Sequence, residues 1–321
     1  MSYNIPSQPV KFIFEITFFF LILVPAGILW ACVKKCLPVK RKSVKGQVIL
    51  ITGAAAGLGR QLALLFANLG AKIVCLDINE EGNDKTAQMV KETGAVVASY
   101  KCDISKRDQI KDIHQRVKKE IGPVDILINN AAIVWGHIYL DPTKDQLIDD
   151  IIDVNLKGQF WMNREIIPSM IDRKSGHIVT ISSLAAVCGV AGISSYTATK
   201  WATNGMIESM RNELNELNEL ISSSIKTTTI MPYFINTNPK ISERLDCRFP
   251  EIPIETAGRL IVRGILEEKQ IFSVPNHMYP MYMFIRFLPE NLQKVFSKIV
   301  HIKFIPDDEE QQIIDRYQGK M

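Results

Sequence analysis

The chain has 321 residues, 47% of them hydrophobic, which is enough for one large domain with extensions or at most two domains. Its net charge of +4 includes no long Lys/Arg block in the main body, so a nucleic-acid-binding stripe is excluded as the organising feature. Cys32, Cys36, Cys75, Cys102, Cys188 and Cys247 are scattered and form neither a disulfide framework nor a zinc pattern; they read as reduced thiols on a cytosol-facing protein.

The first segment that stands out is Ile16 to Val33, ITFFFLILVPAGILWACV, which carries no charge. As one helix, rising about 1.5 Å per residue, it approaches the roughly 30 Å of hydrocarbon in a bilayer. Trp30 lies near one end, and Lys34, Lys35, Lys40, Arg41, Lys42 and Lys45 follow. A cleaved signal peptide has its positive charge on the other side, and a soluble surface helix keeps a polar face. Residues 1–45 are therefore expected to be an uncleaved membrane anchor with a basic flank, the rest of the chain facing the cytosol. Pro25 can kink the helix, which leaves a spanning helix, a hairpin and a half-inserted anchor all open. Endoplasmic reticulum membrane and lipid-droplet surface are equally compatible. Cys36 reads as an ordinary surface thiol, with palmitoylation as the alternative.

From Gly46 the pattern changes to apolar strands alternating with helices. Strands are expected at Gln47–Gly53, Ala71–Asp77, Val96–Asp103, Asp125–Ala132, Gly176–Ser183 and Ile225–Pro232. Helices are expected at Leu58–Leu69, Asn83–Thr93, Arg107–Ile121 and from about Tyr196. Continuous apolar strands separated by helices predict an α/β fold, a doubly wound, Rossmann-like parallel sheet over residues 46–270. Asn212 to Leu220 repeats Asn-Glu-Leu three times, which suits a helix surface or a dimer face. Residues 271–321 read as an apolar C-terminal extension. Its Met278–Val300 stretch, rich in Met, Tyr and Phe, suits a lid or a bilayer contact, and equally core packing or a dimer contact.

The first strand runs into Thr52-Gly53-Ala54-Ala55-Ala56-Gly57-Leu58-Gly59 and then a helix. Small residues there let the backbone approach a pyrophosphate, and the helix start offers unsatisfied N–H groups to it. Gly53, Ala55, Gly57, Leu58 and Gly59 are the candidate phosphate loop. Asp77 ends the second strand, 24 residues after Gly53. An acid there accepts hydrogen bonds from a ribose and repels a 2′-phosphate, so NAD is expected over NADP. His137, His177 and His277 have no partner spacing, and no metal site is expected.

Thr-Gly-x-x-x-Gly-x-Gly, Asn129-Asn130-Ala131-Ala132, Asn155, Ser183 and Tyr196-x-x-x-Lys200 occur in the order and spacing of the short-chain dehydrogenase/reductase family, which this chain resembles over roughly Lys45 to Lys240. The resemblance implies that Tyr196 is the proton acceptor and Lys200 its partner. One helical turn apart, the two project from one face, and the ammonium is expected to lower the pKa of the phenol. It further implies that Ser183, rather than Ser182, holds the substrate oxygen and that Asn155 supports a water relay. Asp103 with Ile104 is expected at the adenine, Ile78 next to Asp77, Asn129 beside the cofactor, and Ile235 and Thr237 at the nicotinamide amide and phosphates. Two departures stand out: Ala132 replaces the family's glycine, and Pro232-Tyr233 replaces Pro-Gly, placing Tyr233 in the substrate pocket.

The anchor, GHIVTISS, DINEEGN and the run Pro232 to Thr237 most resemble membrane-bound retinol dehydrogenases of the epidermal type and lipid-droplet 17β-hydroxysteroid dehydrogenases. That implies oxidation of a lipophilic alcohol, all-trans-retinol to retinal first, with 17β-hydroxysteroids or other lipid alcohols next. An NADPH-dependent reductase and a catalytically vestigial lipid-droplet scaffold are the competing readings. A homodimer through helices such as Asn204 to Leu220 is implied as well.

Overall fold

A computed structural model describes residues 9–36 and 39–318. The chain divides into two units, residues 1–41 and residues 42–321.

In the first unit, α1 (Pro9–Phe18) runs into a π-helical turn (Phe19–Leu23) and then α2 (Val24–Cys36). The π turn sits just before Pro25, which has no N–H with which to continue the regular ladder; the Val24 N–H instead reaches back to the Phe19 carbonyl. The helix expected over Ile16–Val33 is present, continuous from Pro9 to Cys36 with the π turn inside it. Among the described residues no helix is long and apolar enough to cross a membrane. Phe14, Leu21 and Trp30 are 70%, 68% and 61% exposed, so this segment leaves large apolar side chains uncovered. The Cys36 thiol lies outside the described residues.

The second unit is built on β1 (Val48–Thr52), α3 (Gly57–Asn68), β2 (Lys72–Asp77), α4 (Glu80–Glu92), β3 (Val97–Lys101), α5 (Arg107–Glu120) and β4 (Ile126–Asn129). It continues with α6 (Asp145–Ile152), a π-helical turn (Asp153–Gly158), α7 (Gln159–Asp172), β5 (Ser175–Ile181), α8 (Ser194–Ile221) and β6 (Ser224–Pro232). α9 (Pro239–Ser242), β7 (Leu245–Cys247), α10 (Ile254–Leu266), β8 (Ile271–Val274), α11 (Met278–Ile285), α12 (Glu290–Val300), β9 (Ile302–Phe304) and α13 (Asp308–Tyr317) complete it.

Seven strands pair in the order β3-β2-β1-β4-β5-β6-β8, every pairing parallel. β1 is buried along its whole length, and one apolar layer forms on each face of the sheet. This is why its strands read as unbroken apolar runs rather than alternating ones. The chain winds outward from β1 to β3 and returns on the other side of β1 as β4, so a crevice opens beyond the carboxyl ends of β1 and β4.

Two features differ from the sequence expectation. The strand Ile271–Val274 is the seventh of the sheet and pairs with Thr229–Pro232 of β6; its four residues, stopped by Pro275, give too short a run to stand out. α4 starts ahead of the expected Asn83, because the Asn79 side chain accepts from the Gly82 N–H at 3.0 Å and caps it. A second, antiparallel pair joins β7 to β9 and brings the C-terminal segment back onto the loop after β6.

Candidate active site

At the crevice, the loop between β1 and α3 leaves no room for side chains. A Cβ on Gly59 would stand 2.0 Å from the Gly53 carbonyl oxygen, and Gly53 itself has φ +69° with the Ala131 Cα 2.8 Å from where its Cβ would be. Only glycine adopts that conformation with so close an approach at low cost. α3 opens at Ala56 without a side-chain cap, so its first N–H groups and the positive end of its dipole face the crevice. The Thr52 hydroxyl accepts from the Asn130 and Ala131 N–H groups at 3.0 Å each, while the Asn130 amide donates to the Thr52 and Gly53 carbonyls at 2.9 and 3.1 Å. These bonds fasten the end of β1 to the end of β4. The uncapped helix and the glycine cradle fit the pyrophosphate of a dinucleotide.

Asp77 lines the same cleft. Its carboxylate accepts from the Ala55 N–H and from the Asn79 N–H, both at 2.9 Å, and so ties the phosphate loop to the end of β2. The neighbouring Arg60 is taken up by the Ala55 and Gly82 carbonyls and by the Thr86 hydroxyl.

Across the cleft, β5 ends at Ile181 and the chain turns through Ser182 and Ser183 into a short 3₁₀ helix, Leu184–Ala186. The Ser183 hydroxyl accepts from the Ala185 N–H at 3.1 Å and also meets the Tyr196 hydroxyl. Ser182 turns the other way and donates to Asn204 at 2.8 Å. Tyr196 and Lys200 lie in the first two turns of α8. The Lys200 side chain is 1% exposed; its Nζ sits 5.4 Å from the Tyr196 ring centroid and donates to the Ile181 carbonyl at 3.0 Å.

Electrostatically this pair differs from the expectation. Burial pushes the Tyr196 phenol up to about 12, opposed only by the Ser183 hydrogen bond. Burial brings the Lys200 ammonium down to about 8. The lowering of the phenol by its lysine neighbour is therefore corrected: the ammonium faces the ring and a backbone carbonyl, and loss of water dominates both groups.

Asn155 is fully buried in the π-helical turn behind this pair. Its amide clamps Ile133, accepting from the N–H at 2.7 Å and donating to the carbonyl at 2.9 Å, and also reaches Thr199 at 3.3 Å. It thereby holds the segment after β4 against α8.

Gly53, Gly57, Leu58, Gly59, Asp77, Ser183, Tyr196, Lys200, Tyr233, Ile235 and Thr237 all line one cleft of about 390 Å³. The Tyr233 hydroxyl is turned toward the Phe249 carbonyl, 3.2 Å away, so Tyr233 offers the cleft its ring rather than a polar group. Other expected residues stand outside it. Ala55 gives its N–H to Asp77 and its carbonyl to Arg60, and Ile78 is 62% exposed. Asp103 accepts from the Ser105 N–H at 2.9 Å, and Ile104 packs beneath Gly158. Asn129 points to Asn163 at 2.9 Å, so it is Asn130 that faces the cleft. The alternation of side chains along β4 carried that information.

A buried ion pair was not anticipated. Glu310, 1% exposed at the start of α13, meets the Arg244 guanidinium and accepts from the Ile138 N–H at 3.2 Å. Arg244 also donates to the Gly136 and Ile305 carbonyls. Phe304 of β9 packs against Gly136, Gly192 and Phe234, with Tyr196 beside the same cluster. Three segments are thus held together by Arg244 and its two carboxylate partners, Glu310 and, at 3.5 Å, Asp307. His137 and His177 are core residues, bonded to Ser195 at 3.0 Å and Thr228 at 2.8 Å. Among the described residues no group of metal-ligating side chains comes together.

The profile of the short chain dehydrogenase family matches residues 47–247. Human epidermal retinol dehydrogenase 2 is 40% identical over 90% of this chain and 91% of its own length. Human 17-beta-hydroxysteroid dehydrogenase 13 is 35% identical over 88% of this chain and 93% of its own, and human estradiol 17-beta-dehydrogenase 11 is 34% identical over 92% and 96%. Among solved structures, a metagenomic short-chain oxidoreductase in complex with NADP superposes with a TM-score of 0.60 at 28% identity, covering 72% of this chain and 96% of that one. A short-chain dehydrogenase/reductase from Burkholderia phymatum, in complex with NAD, superposes with a TM-score of 0.67 over 76% and 94%; at 22% identity it speaks for the fold alone. The chain belongs to the short-chain dehydrogenase family. It is an oxidoreductase related to the retinol and 17-beta-hydroxysteroid dehydrogenases.

Proposed function

We propose that this chain oxidises the hydroxyl of a lipophilic alcohol with NAD, all-trans-retinol being the first candidate substrate. The observation that carries the reading is that Ser183, Tyr196 and Lys200 stand together on the wall of a cleft that begins at the glycine loop, with the Lys200 Nζ 5.4 Å from the Tyr196 ring. A nicotinamide dinucleotide seated on Gly53–Gly59 would supply the two-electron acceptor. Ser183 then holds the substrate oxygen, and Tyr196 takes its proton. A phenol at about 12 is a weak base at neutral pH, and Lys200, its Nζ 5.4 Å from the ring centroid, is the cation that stands beside it. Asn155 acts from behind, keeping α8 and the segment after β4 in register.

Asp77 favours NAD, because a 2′-phosphate would meet its carboxylate while the nearby Arg60 is already bonded to backbone carbonyls. Leu184, Val190, Ile193, Phe234 and Tyr282 give the far wall its apolar character, which suits a retinoid and also a 17β-hydroxysteroid. The relationship to the retinol and steroid enzymes supports the same substrate class. The complete set of Ser183, Tyr196 and Lys200 weighs against a vestigial scaffold. The uncharged run of residues 16–33 with its basic flank supports attachment to the endoplasmic reticulum or to lipid droplets, facing the cytosol. Exposed Leu220 on α8 suits a homodimer contact. Membranes carrying the protein, incubated with retinol, estradiol and long-chain alcohols and each of NAD and NADP, test the reading. NADH formation with retinol is expected, and failure of every alcohol with both nucleotides would overturn it.

A further inference from the structure

Beyond the cleft lies a second cavity of about 590 Å³, walled by the segment Val187–Ala191 on one side and by α11 and α12 on the other. The two spaces share walls: Cys188, Val190, Tyr282 and Ile302 face both. At the neck the Cys188 thiol donates to the Leu184 carbonyl at 3.3 Å, and the Tyr282 ring stands edge-on to Phe296 at 5.6 Å. The inner wall is apolar, whereas the outer rim carries Arg286, stacked on Trp201 at 4.3 Å, and the Glu290–Lys294 pair at 2.6 Å.

Volume decides what this second space is for. Pockets that enclose one drug-sized ligand run from about 300 to about 1,000 Å³. The first cleft measures about 390 Å³, and its inner end is the glycine loop. A dinucleotide seated there takes up a large part of that space. A lipid alcohol with its hydroxyl at Tyr196 then has the apolar far wall for the near part of its chain, and a longer chain has to pass the neck.

We propose that the second cavity is the seat of the substrate's hydrocarbon tail, reached past Cys188 and Tyr282. The substrate class is accordingly an alcohol on a chain too long for the first cleft, with its far end near the charged rim. This rests on the functional reading above and refines it.

The test uses the full chain in detergent micelles, with hexanol, decanol and hexadecanol as substrates. A Cβ on Gly189, in the wall of the second cavity, meets nothing within 4 Å, so a side chain can start there freely and Gly189→Phe is the variant that fills this space. Ser297→Phe fills it from the α12 side. In the unaltered chain kcat/KM rises from hexanol to hexadecanol. In either variant, with unchanged Tm, the hexadecanol value falls roughly tenfold or more while hexanol is unaffected. Turnover with a flat series in the unaltered chain overturns the proposal alone. So does a rise that survives both fillings, or an equal loss for short and long alcohols. Absence of turnover with any alcohol overturns the functional reading, and the proposal with it.

Discussion

The Lys200 ammonium lies 5.4 Å from the centroid of the Tyr196 ring and donates to the Ile181 carbonyl at 3.0 Å. The lysine is thereby anchored to the end of β5, against the flat of the phenol. Both groups lose water, and this raises one pKa and lowers the other.

That burial gives a stability signature. Lys200 has a pKa of about 8 when folded and an ordinary value of 10.5. Between these the unfolded chain holds more protons, so stability rises with pH across that window, and below about 8 the cost of burying the charge is fully present. Relative to Lys200→Met, the unaltered chain should gain up to about 3 kcal/mol from pH 8 to 10.5. Thermal unfolding of both proteins without nucleotide measures this, and taking the difference removes the other titrating groups. A flat difference would mean that Lys200 is better solvated than its 1% exposure implies.

Ser182 and Ser183 should separate cleanly. Ser183→Ala removes the hydroxyl that meets Tyr196 and should lower kcat by about 10²-fold, at the lower end of proton-transfer contributions. Ser182→Ala removes only the bond to Asn204, with a stability loss of about 1 kcal/mol and near-normal kcat. The reverse ranking would exchange their roles.

Asp77→Asn keeps a side-chain oxygen for the Ala55 N–H but removes the charge. The ratio of kcat/KM with NAD to that with NADP should fall at least about tenfold, or about 1.4 kcal/mol of discrimination. An unchanged ratio would place nucleotide choice elsewhere, with Arg60 the first residue to examine.

Glu310→Gln removes the buried one of the two carboxylates that face the Arg244 guanidinium and leaves Asp307, 3.5 Å away, in place. Breaking a buried pair outright costs about 3 kcal/mol or more, and the loss here should fall below that because Asp307 still faces the charge. The Tm should drop, and hydrogen exchange should accelerate across Ile302–Glu310 and Gly136–Ile138 before the sheet itself opens. Equal acceleration in β1 would make this contact part of the global core instead.

Much of the site is local in sequence and was legible there. Gly53, Gly57 and Gly59 announce a phosphate loop because a strand precedes them and a helix follows. Tyr196 and Lys200 announce themselves by one helical turn. What depended on the third dimension was not legible. Arg244 and Glu310 stand 66 residues apart, and no pattern joins them. Burial set the pKa values of the Tyr196–Lys200 pair, whereas spacing alone suggested that the ammonium would win. The strand Ile271–Val274 was hidden by its length, and Asn130 by its identical neighbour, Asn129.

The claim that Tyr196 takes the substrate proton is tested by steady-state NADH formation from retinol by purified Tyr196→Phe beside the unaltered chain. The variant keeps the ring that packs beside Ile193 and Phe304, so its circular dichroism and Tm should be near normal. Its kcat should fall by about 10²-fold or more. A folded Tyr196→Phe protein that turns over retinol at close to the normal rate would contradict the claim.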